Sequence, residues 1–287
     1  MVAVPRGVRA SFLVVSCDSA GALAQGLPSL QAARARLDAA GFANELIVAD
    51  NASRDGSAGL AARLAPDACV LRLPRNLGYG AALNRAAQAA RGEWLLACNA
   101  DLAVPPGGLD ALPDVLARQP RDVALVGPAL LDGDGSPQPS VGRWPTLAGL
   151  MAGLLRPAAQ RRTLRAGAAG GRPAPWVSGA CLGVRAAAFT QAGGFDEGFF
   201  LYYEEVDLAR RLAARGWACR FEPELRVVHG APLHARERDA DLLAVVTASR
   251  RRYFARHRPA WEARVLALLE RAERRLRAPP GGGVGLS

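Results

Sequence analysis

The sequence contains no lysine. All 36 basic residues are arginine, set against 26 acidic residues in a chain of 287. Because a P-loop contacts its phosphates through a lysine, the chain has no P-loop. Nucleotidyl transfer to a sugar phosphate is disfavoured for the same reason, since it would want a glycine-rich, lysine-bearing loop near the N-terminus. The formal net charge of +10 still favours phosphates, acidic lipid surfaces or nucleic acid as partners.

Paired cysteines are also missing. The five cysteines are scattered, lie mostly within apolar runs and form no CxxC pair: Cys17, Cys69, Cys98, Cys181 and Cys219. This pattern excludes a disulfide or zinc framework and predicts buried free thiols in a reducing compartment.

Long hydrophobic runs are absent. The longest apolar stretch near the middle, "LAGLMAGLL", is far shorter than the ~20 residues that span a bilayer. Near the N-terminus, "SFLVV" is too short for the core of a signal peptide and is better interpreted as a first strand. We therefore expect no membrane-spanning segment and a cytoplasmic location.

What is present is an alternation of strand-like and helix-like segments over the first 130 residues. The predicted strands are "SFLVVS", "ELIVAD", "CVLRL", "EWLLAC" and "VALVG". Such an order predicts an α/β fold, with a mostly parallel sheet covered by helices on both faces. We expect a catalytic domain over 1–235, with halves at about 8–128 and 129–235. Basic helices over 236–277 and a disordered tail over 278–287 would follow, and 156–175 is predicted to be a mobile loop.

Polar clusters follow three of the predicted strands: Ser16-Cys17-Asp18, Asp50-Asn51-Ala52-Ser53 and Asn99-Ala100-Asp101. Ligands of open parallel sheets bind at the carboxyl ends of the strands, so these clusters would face one crevice. For each cluster alone, helix capping is the alternative. A dinucleotide site is disfavoured, because "GYGAAL" lacks a third glycine and no glycine-rich turn follows the first strand.

Six motifs then carry a specific resemblance: "VADNASRDGS", "RNLGYGAALNRA", "LLACNADLAVPPG", "WVSGACLGVR", "GGFDEGFFLYYEEVDLARRLAARGW" and "VVHG". In order and spacing they resemble the inverting family 2 glycosyltransferases, most closely the bacterial rhamnosyltransferase-like branch. The resemblance covers about residues 10–258. It implies a GT-A fold, a nucleotide-sugar donor, with dTDP-rhamnose as the first guess, and transfer with inversion to a hydroxyl of a glycan or lipid-linked glycan.

The resemblance also implies residue roles on the donor side. Asp50 would hydrogen-bond the base. The residues implied to bind the nucleotide sugar are Ser16, Asp18, Asp50, Asn51, Ser53, Asn76, Asn84 and Asn99.

A metal site is implied at "NAD", which stands in place of the family's DxD motif and leaves Asp101 to carry the metal. His229 would be a second ligand, and a simple hydrogen-bonded neighbour is the alternative. A nucleoside diphosphate leaves poorly until its charge is neutralised. A hard cation, Mg²⁺ or Mn²⁺, achieves this with few protein ligands.

The stretch "GFFLYYEEVDLARR" places Glu204 and Glu205 after a run of aromatic and apolar residues. The resemblance makes the second acid the proposed base that takes the proton of the acceptor hydroxyl, which points to Glu205. Glu204 could bind the acceptor or act as the base instead, and Asp207 is interpreted as structural. On spacing alone, these acids could merely complement the dipole of a helix N-terminus.

Two further residues are candidates for acceptor binding. Trp176 could line the acceptor pocket or belong to the core, and Asp196 could contact the sugar or the acceptor or cap a turn. A non-catalytic protein that binds a nucleotide sugar or glycan on the same fold is the alternative function.

The C-terminal stretch 249–277 holds ten arginines against three glutamates. Its apolar residues recur at helical spacing: Trp261, Val265, Leu268, Leu269, Ala272 and Leu276. This pattern predicts a basic amphipathic segment suited to an anionic membrane surface, and a helix packed on the catalytic domain is the alternative. Nucleic acid is disfavoured as a partner, because aromatic residues are few and no recognition motif occurs.

Overall fold

The computed structural model describes residues 7–155, 171–230 and 240–277. The predicted loop over 156–175, the predicted boundary at 235/236 and the predicted disorder of 278–287 lie wholly or largely outside those residues. No helix in the described ranges combines the length and the apolar character that crossing a bilayer requires.

The strands follow the predicted segments closely in the first half of the chain. In order they are β1 (Ala10–Ser16), β2 (Asn44–Asp50), β3 (Cys69–Arg72), β4 (Trp94–Asn99), β5 (Leu102–Ala103), β6 (Val123–Leu131), β7 (Val141–Gly142), β8 (Arg172–Pro173), β9 (Trp176–Val177), β10 (Cys181–Arg185) and β11 (Ala218–His229). Every residue of β1 is buried, which explains its unbroken apolar sequence.

Helices alternate with the first four strands, as the predicted order requires. The described helices are α1 (Ala20–Ala39), α2 (Ser57–Leu64), α3 (Tyr79–Ala89), α4 (Leu112–Ala117), α5 (Leu147–Leu155), α6 (Ala186–Ala192), α7 (Glu204–Ala213), α8 (Ala240–His257) and α9 (Ala260–Arg277). Gly41, with a φ of 78°, follows α1 in the left-handed region that favours glycine. The basic C-terminal segment is two helices, because Pro259 interrupts it after Arg258.

Within the described residues, nine strands form one sheet, with the order β3-β2-β1-β4-β10-β6-β11-β5 and β8 paired to β11. Strand β1 runs parallel to β2 and β4, as does β6 to β11. The mostly parallel sheet is confirmed. However, β10 lies antiparallel between β4 and β6. At Gly183 in β10, an added Cβ would lie 2.8 Å from the Val126 side chain, so glycine lets the strands pack at this point.

Two large apolar clusters cover opposite faces of the sheet. One joins β1, β2 and β4 to α1 and α4, and the other joins the same strands to α3, α6 and α7. A smaller third cluster holds α8 and α9 against α5 and the start of α7, and its buried members include Phe199, Val206, Tyr253, Phe254 and Leu266. The C-terminal helices therefore pack directly behind the segment that precedes Glu204.

Candidate active site

A cleft opens at the carboxyl ends of β1, β2 and β4. It consists of two cavities, of about 220 Å³ and 170 Å³, whose walls share Tyr79, Asn99, Asp101 and Leu201. The larger cavity reaches the ends of β1 and β2, and the smaller one reaches the start of α7. Each predicted strand-end cluster contributes to these walls through Cys17, Asn51 or the Asn99–Asp101 segment, whereas Ser16, Asp18, Asp50 and Ser53 are not among the lining residues.

At the end of β1 and β2, Ser16 and Asp50 lie side by side in the parallel register. The backbone N–H of Ser53 donates to Asp50 Oδ2 at 3.3 Å. Asp50 Oδ1 and Ser16 Oγ are buried and have no hydrogen-bond partner. Because buried polar atoms are normally paired, these two atoms are candidates to bind a ligand.

The loops after β1 and β2 are tied to each other through Asp18 and Ser53. The Asp18 backbone N–H donates to Ser53 Oγ at 3.0 Å, and the Arg54 backbone N–H donates to Asp18 Oδ1 at 2.7 Å. Asp18 and Ala52 have φ of 45° and 65°, in the left-handed region. These hydrogen bonds show that Asp18 and Ser53 hold the two loops together. That either residue contacts a nucleotide stays a prediction.

Three of the asparagines that are predicted to bind the nucleotide sugar, Asn51, Asn76 and Asn84, differ in position. Asn51 Nδ2 donates to Asn76 Oδ1 at 2.8 Å, and both residues line the larger cavity. Asn84 lies apart from the described walls of the cleft. Its side chain accepts a hydrogen bond from the Phe195 backbone N–H and donates one to the Phe195 carbonyl, both at 2.9 Å. Asn84 therefore joins α3 to the "GGFDE" segment.

Asn99, Asp101 and His229 meet where the two cavities join. His229 Nε2 lies 3.4 Å from Asp101 Oδ1 and 3.2 Å from Asn99 Nδ2. The antiparallel pairing of β11 with β5 brings His229 opposite Leu102, which explains the approach.

The other imidazole nitrogen, His229 Nδ1, lies 3.1 Å from Gln138 Oε1. Gln138 is itself held, because its Nε2 donates to Asp132 Oδ1 at 2.6 Å and to the His229 carbonyl at 2.9 Å. A proton on Nδ1 would satisfy this contact and leave Nε2 as an acceptor facing Asp101. Sequence reasoning missed Gln138, and no motif signals it.

The residues present fit a divalent cation with few protein ligands. Among the described residues, no group of three or more His, Cys, Asp or Glu side chains converges as a metal site. A carboxylate and an imidazole could supply two ligands, and diphosphate oxygens and water would complete the shell. A closed, protein-only metal site does not fit this part of the chain.

Glu204 and Glu205 begin α7 and both line the smaller cavity. They follow Tyr202 and Tyr203, whose φ angles of 68° and 69° are unusual for residues other than glycine. Oε2 of each glutamate is buried with no hydrogen-bond partner. These tyrosines turn the chain so that the two carboxylates enter the cleft.

Burial dominates the electrostatics of this pair. It raises the pKa of Glu205 to about 7, although the backbone N–H groups of Glu205, Val206 and Gly179 act in the opposite direction. Burial, followed by the charge of Glu205, raises the pKa of Glu204 well above its usual value. A carboxylate with a pKa near 7 is suited to accept a proton at neutral pH. If the two glutamates only complemented the dipole at the N-terminus of α7, their Oε2 atoms would not need to be buried without hydrogen-bond partners.

The two predicted acceptor-binding residues lie elsewhere. Trp176 Nε1 donates to the Arg143 carbonyl at 3.0 Å, and its ring packs against Gly142. Asp196 accepts hydrogen bonds from the Gly198 backbone N–H and from Arg252, both at 2.9 Å. Neither side chain is among the described walls of the cleft, so their contact with an acceptor stays a prediction.

Sequence reasoning also missed three residues of α8 that hold the wall of the cleft. Ser249 Oγ donates to the Leu201 carbonyl at 2.8 Å, and Arg252 pairs with Asp196. His257 Nε2 lies 2.7 Å from Oδ1 of Asp207, which is fully buried on α7. Nothing in the sequence of α8 distinguishes these residues from its solvent-exposed polar residues. The buried position of Asp207 agrees with its interpretation as a structural residue.

Comparison with known proteins places this geometry in context. The family model described as Glycosyl transferase family 2 matches residues 11–186, more than half of the chain. A second model, Glycosyl transferase family group 2, matches residues 151–255.

Curated relatives are rhamnosyltransferases by name. An N-acetylglucosaminyl-diphospho-decaprenol L-rhamnosyltransferase of Mycobacterium tuberculosis is 38% identical over 205 residues, covering 64% of this chain and 66% of the relative. The match thus spans slightly less than two thirds of that relative. Rhamnosyltransferase WbbL of Escherichia coli is 36% identical over 56 residues, which cover 20% of this chain and 21% of WbbL.

Solved structures share the fold at low identity. Mannosyltransferase PcManGT from Pyrobaculum calidifontis, in complex with GDP-Man and Mn²⁺, has a TM-score of 0.57 and 20% identity, covering 96% of this chain and 77% of that one. GalNAc-T7 with UDP, GalNAc and Mn²⁺ has a TM-score of 0.58 and 17% identity, covering 80% and 45%. The expected GT-A fold and the resemblance to the rhamnosyltransferase-like branch are confirmed, and the chain belongs to glycosyl transferase family 2.

Proposed function

We propose that the protein transfers rhamnose from a nucleoside-diphosphate sugar to a hydroxyl of a lipid-linked glycan, with inversion at the anomeric carbon. The observation that carries the proposal is one cleft that places Glu205, with a pKa of about 7, in the same cavity as Asp101 and His229. The names of the curated relatives support the sugar and the lipid-linked acceptor. The first donor to test is dTDP-rhamnose.

The donor would enter from the larger cavity. Asp50 Oδ1 and Ser16 Oγ, buried and without partners, are suited to hydrogen-bond the polar edge of the base. Asp101 and His229 would hold a divalent cation, and that cation would neutralise the charge that develops on the leaving diphosphate. Solved structures of the same fold contain Mn²⁺. A nitrogen ligand together with a carboxylate favours Mn²⁺ over Mg²⁺.

The reaction would be a single displacement. Glu205 removes the proton from the acceptor hydroxyl while the hydroxyl oxygen forms a bond to the anomeric carbon. The bond from that carbon to the diphosphate oxygen breaks at the same time, and its electron pair leaves with the diphosphate. Attack on the side opposite the leaving group inverts the anomeric configuration. Glu204, more deeply buried and with a raised pKa, is suited to remain protonated beside Glu205.

The compartment is also part of the proposal. All five cysteines are free, which supports a reducing compartment such as the cytoplasm. A lipid-linked acceptor would then be met at the cytoplasmic face of a membrane.

A transfer assay with matched donors tests the function. The protein would be incubated with a polyprenyl-diphosphate-linked N-acetylglucosamine and with dTDP-rhamnose, UDP-glucose, UDP-N-acetylglucosamine or GDP-mannose, each with Mn²⁺ or with EDTA. We expect product from dTDP-rhamnose only, its loss with EDTA, and an inverted anomeric centre by NMR. A retained configuration would contradict the role of Glu205, and bound donor without turnover would favour a non-catalytic binding protein.

A further inference from the structure

The two glutamates described on α9 face the protein, and its two described arginines, Arg264 and Arg271, are exposed. Glu262 and Glu270 are only 5% and 4% exposed. Glu262 accepts a hydrogen bond from the Leu147 backbone N–H at 3.0 Å and pairs with Arg258. Glu270 accepts hydrogen bonds from Arg250 and Arg251 on α8. This arrangement reverses the usual one, in which a helix turns its acids towards water.

The opposite side of α9 carries a different set of side chains. Trp261 and Leu268 are 58% and 61% exposed, and Arg264 and Arg271 are exposed beside them. At 100° per residue these four positions lie within about 80° of arc, opposite Glu262, Leu266 and Glu270. We name these four residues the outer face of α9. Among the described side chains, no ion pair is formed by its two arginines.

This outcome differs from the predicted apolar stripe. The predicted stripe included Trp261, Val265, Leu268 and Leu269 and left open whether it meets a membrane or the catalytic domain, but the residue that anchors α9 is Leu266, which is 4% exposed. Leu266 belongs to the third apolar cluster together with Phe199 and Val206. The helix is therefore docked on the catalytic domain, and it still presents an apolar and basic face outward.

We propose that the outer face of α9 docks the protein onto an anionic phospholipid bilayer. Arginines that alternate with tryptophan and leucine match an interface where phosphates lie above acyl chains, because the guanidinium groups can pair with phosphates. Tryptophan sits at headgroup depth, and leucine enters the hydrocarbon boundary. Because Glu262 and Glu270 are buried on the opposite side of α9, the outer face carries no carboxylate that anionic lipids would repel.

The composition and size of the face favour lipid over other partners. It is roughly 15 Å long and, at about 10 Å for the width of a helix, covers roughly 150 Å², far below the ~800 Å² that each partner contributes to a stable protein interface. A nucleic-acid backbone would pair with Arg264 and Arg271 but would leave Trp261 and Leu268 exposed.

The inference deepens the proposed function, because a lipid-linked acceptor is presented at such a surface. The third apolar cluster connects α9 to Phe199 and Val206, which flank Glu204 and Glu205. Docking through α9 would therefore bring the bilayer to the flank of the molecule that carries the acceptor-side carboxylates.

Vesicle sedimentation of the full chain tests the proposal. Vesicles of phosphatidylcholine alone are compared with vesicles in which about a third of the lipid is phosphatidylglycerol. We expect binding only to the anionic vesicles, weakening as salt is added. The variants Trp261→Gln/Leu268→Gln and Arg264→Gln/Arg271→Gln should each bind at least about tenfold more weakly. The matched control Arg63→Gln, at an exposed site on α2, should bind like the wild type.

A second arm separates failure of docking from failure of the proposed function. With a water-soluble acceptor, both double variants should match the wild-type rate, and with an acceptor embedded in anionic vesicles they should be slower. Vesicle binding is measured without any donor, so it can succeed even if rhamnose transfer is wrong. Equal binding by the wild type and both double variants would overturn the proposal. The proposal would also be overturned if the wild type did not bind vesicles but self-associated in sedimentation velocity, and both double variants abolished that self-association. The outer face of α9 would then bind a second copy of the chain.

Discussion

Asp50 and Glu205 are supported by the chain in different ways: Glu205 lines the smaller cavity of the cleft, whereas Asp50 is buried at the end of β2 and is not among the described walls. Asp50 ends a fully hydrogen-bonded parallel strand and lies in register with Ser16. Glu205 begins a helix behind two tyrosines in left-handed conformation, and its Oε2 is buried without a partner. The first arrangement positions a group rigidly for recognition. The second desolvates a group and so prepares it to exchange a proton.

The two halves of the cleft also differ in what holds them. The proposed donor side is built from strand ends and from loops that hydrogen-bond to one another. The proposed acceptor side depends on α8, through Ser249 and Arg252, even though α8 lies far along the chain. Donor binding and proton transfer should therefore respond to different substitutions.

The largest effect should come from Glu205→Gln. It keeps the shape of the side chain but removes the proton acceptor, so we expect kcat to fall about 10³-fold. Donor affinity, measured by calorimetry with Mn²⁺, should stay within about twofold, because the amide is uncharged and similar in size. Glu204→Gln is the matched variant in the same cavity. A greater loss of kcat in Glu204→Gln than in Glu205→Gln would exchange the two roles.

Asp101→Asn should weaken metal-dependent donor binding, in contrast to Glu205→Gln, which should affect proton transfer. Loss of a metal-ligating carboxylate should weaken Mn²⁺-dependent binding of the nucleoside diphosphate by roughly 100-fold, with little change when EDTA is present. Gln138→Leu, which removes the partner of His229 Nδ1, should cause a loss of about tenfold in the same direction. Affinities that are equal with Mn²⁺ and with EDTA in the wild type would refute a metal site at Asp101.

Activity and stability should depend on pH in opposite directions. Because the proposed base, Glu205, can accept a proton only when it is ionised, kcat/KM should rise about tenfold per pH unit up to about pH 7 and then level off. Its pKa is raised in the folded protein above the usual 4.5, so its protonated form stabilises the fold. That stabilisation is fully present below pH 4.5 and is lost as the pH rises to about 7.

Glu205→Gln should accordingly raise the melting temperature at pH 8 by a few degrees and leave it nearly unchanged at pH 4.5. Differential scanning calorimetry at the two pH values measures this. A variant that is less stable than the wild type at pH 8 would show that the ionised carboxylate is stabilised in the fold after all.

The smallest effect should come from Arg252→Gln. The side chain pairs with Asp196 and lies over the ring of Phe199, so its loss should loosen the segment before Glu204. We expect kcat to fall several-fold while the affinity for the donor stays within about twofold. Arg36→Gln is the matched control, because Arg36 is about as exposed as Arg252 and pairs with Asp110 outside the cleft. Equal kcat values for the two variants would exclude a positioning role.

The sequence predicted the donor half of the molecule well and the acceptor half less well. The strands from β1 to β4 are short local segments whose apolar runs identify them, and their polar ends locate the cleft. The position of β10 could not be predicted, because pairing between β10 and β4 is a long-range contact that leaves no periodic signal. Gln138 and Ser249 could not be predicted for the same reason, because each acts through contacts with a residue more than 40 positions away, His229 and Leu201 respectively. Asn84 shows the converse, since its motif was recognised but its side chain lies away from the cleft.

The antiparallel insertion of β10 has a consequence for how the protein is made. One neighbour of β4 in the sheet, β1, has already been synthesised when β4 is made. Its other neighbour, β10 (Cys181–Arg185), is synthesised later. At a synthesis rate of about 5–20 residues per second, that partner leaves the ribosome roughly ten seconds after β4. During this interval an apolar strand edge is open to the wrong partners. Lower growth temperature or added chaperone capacity should therefore raise the yield of soluble protein more than substitutions on its surface would.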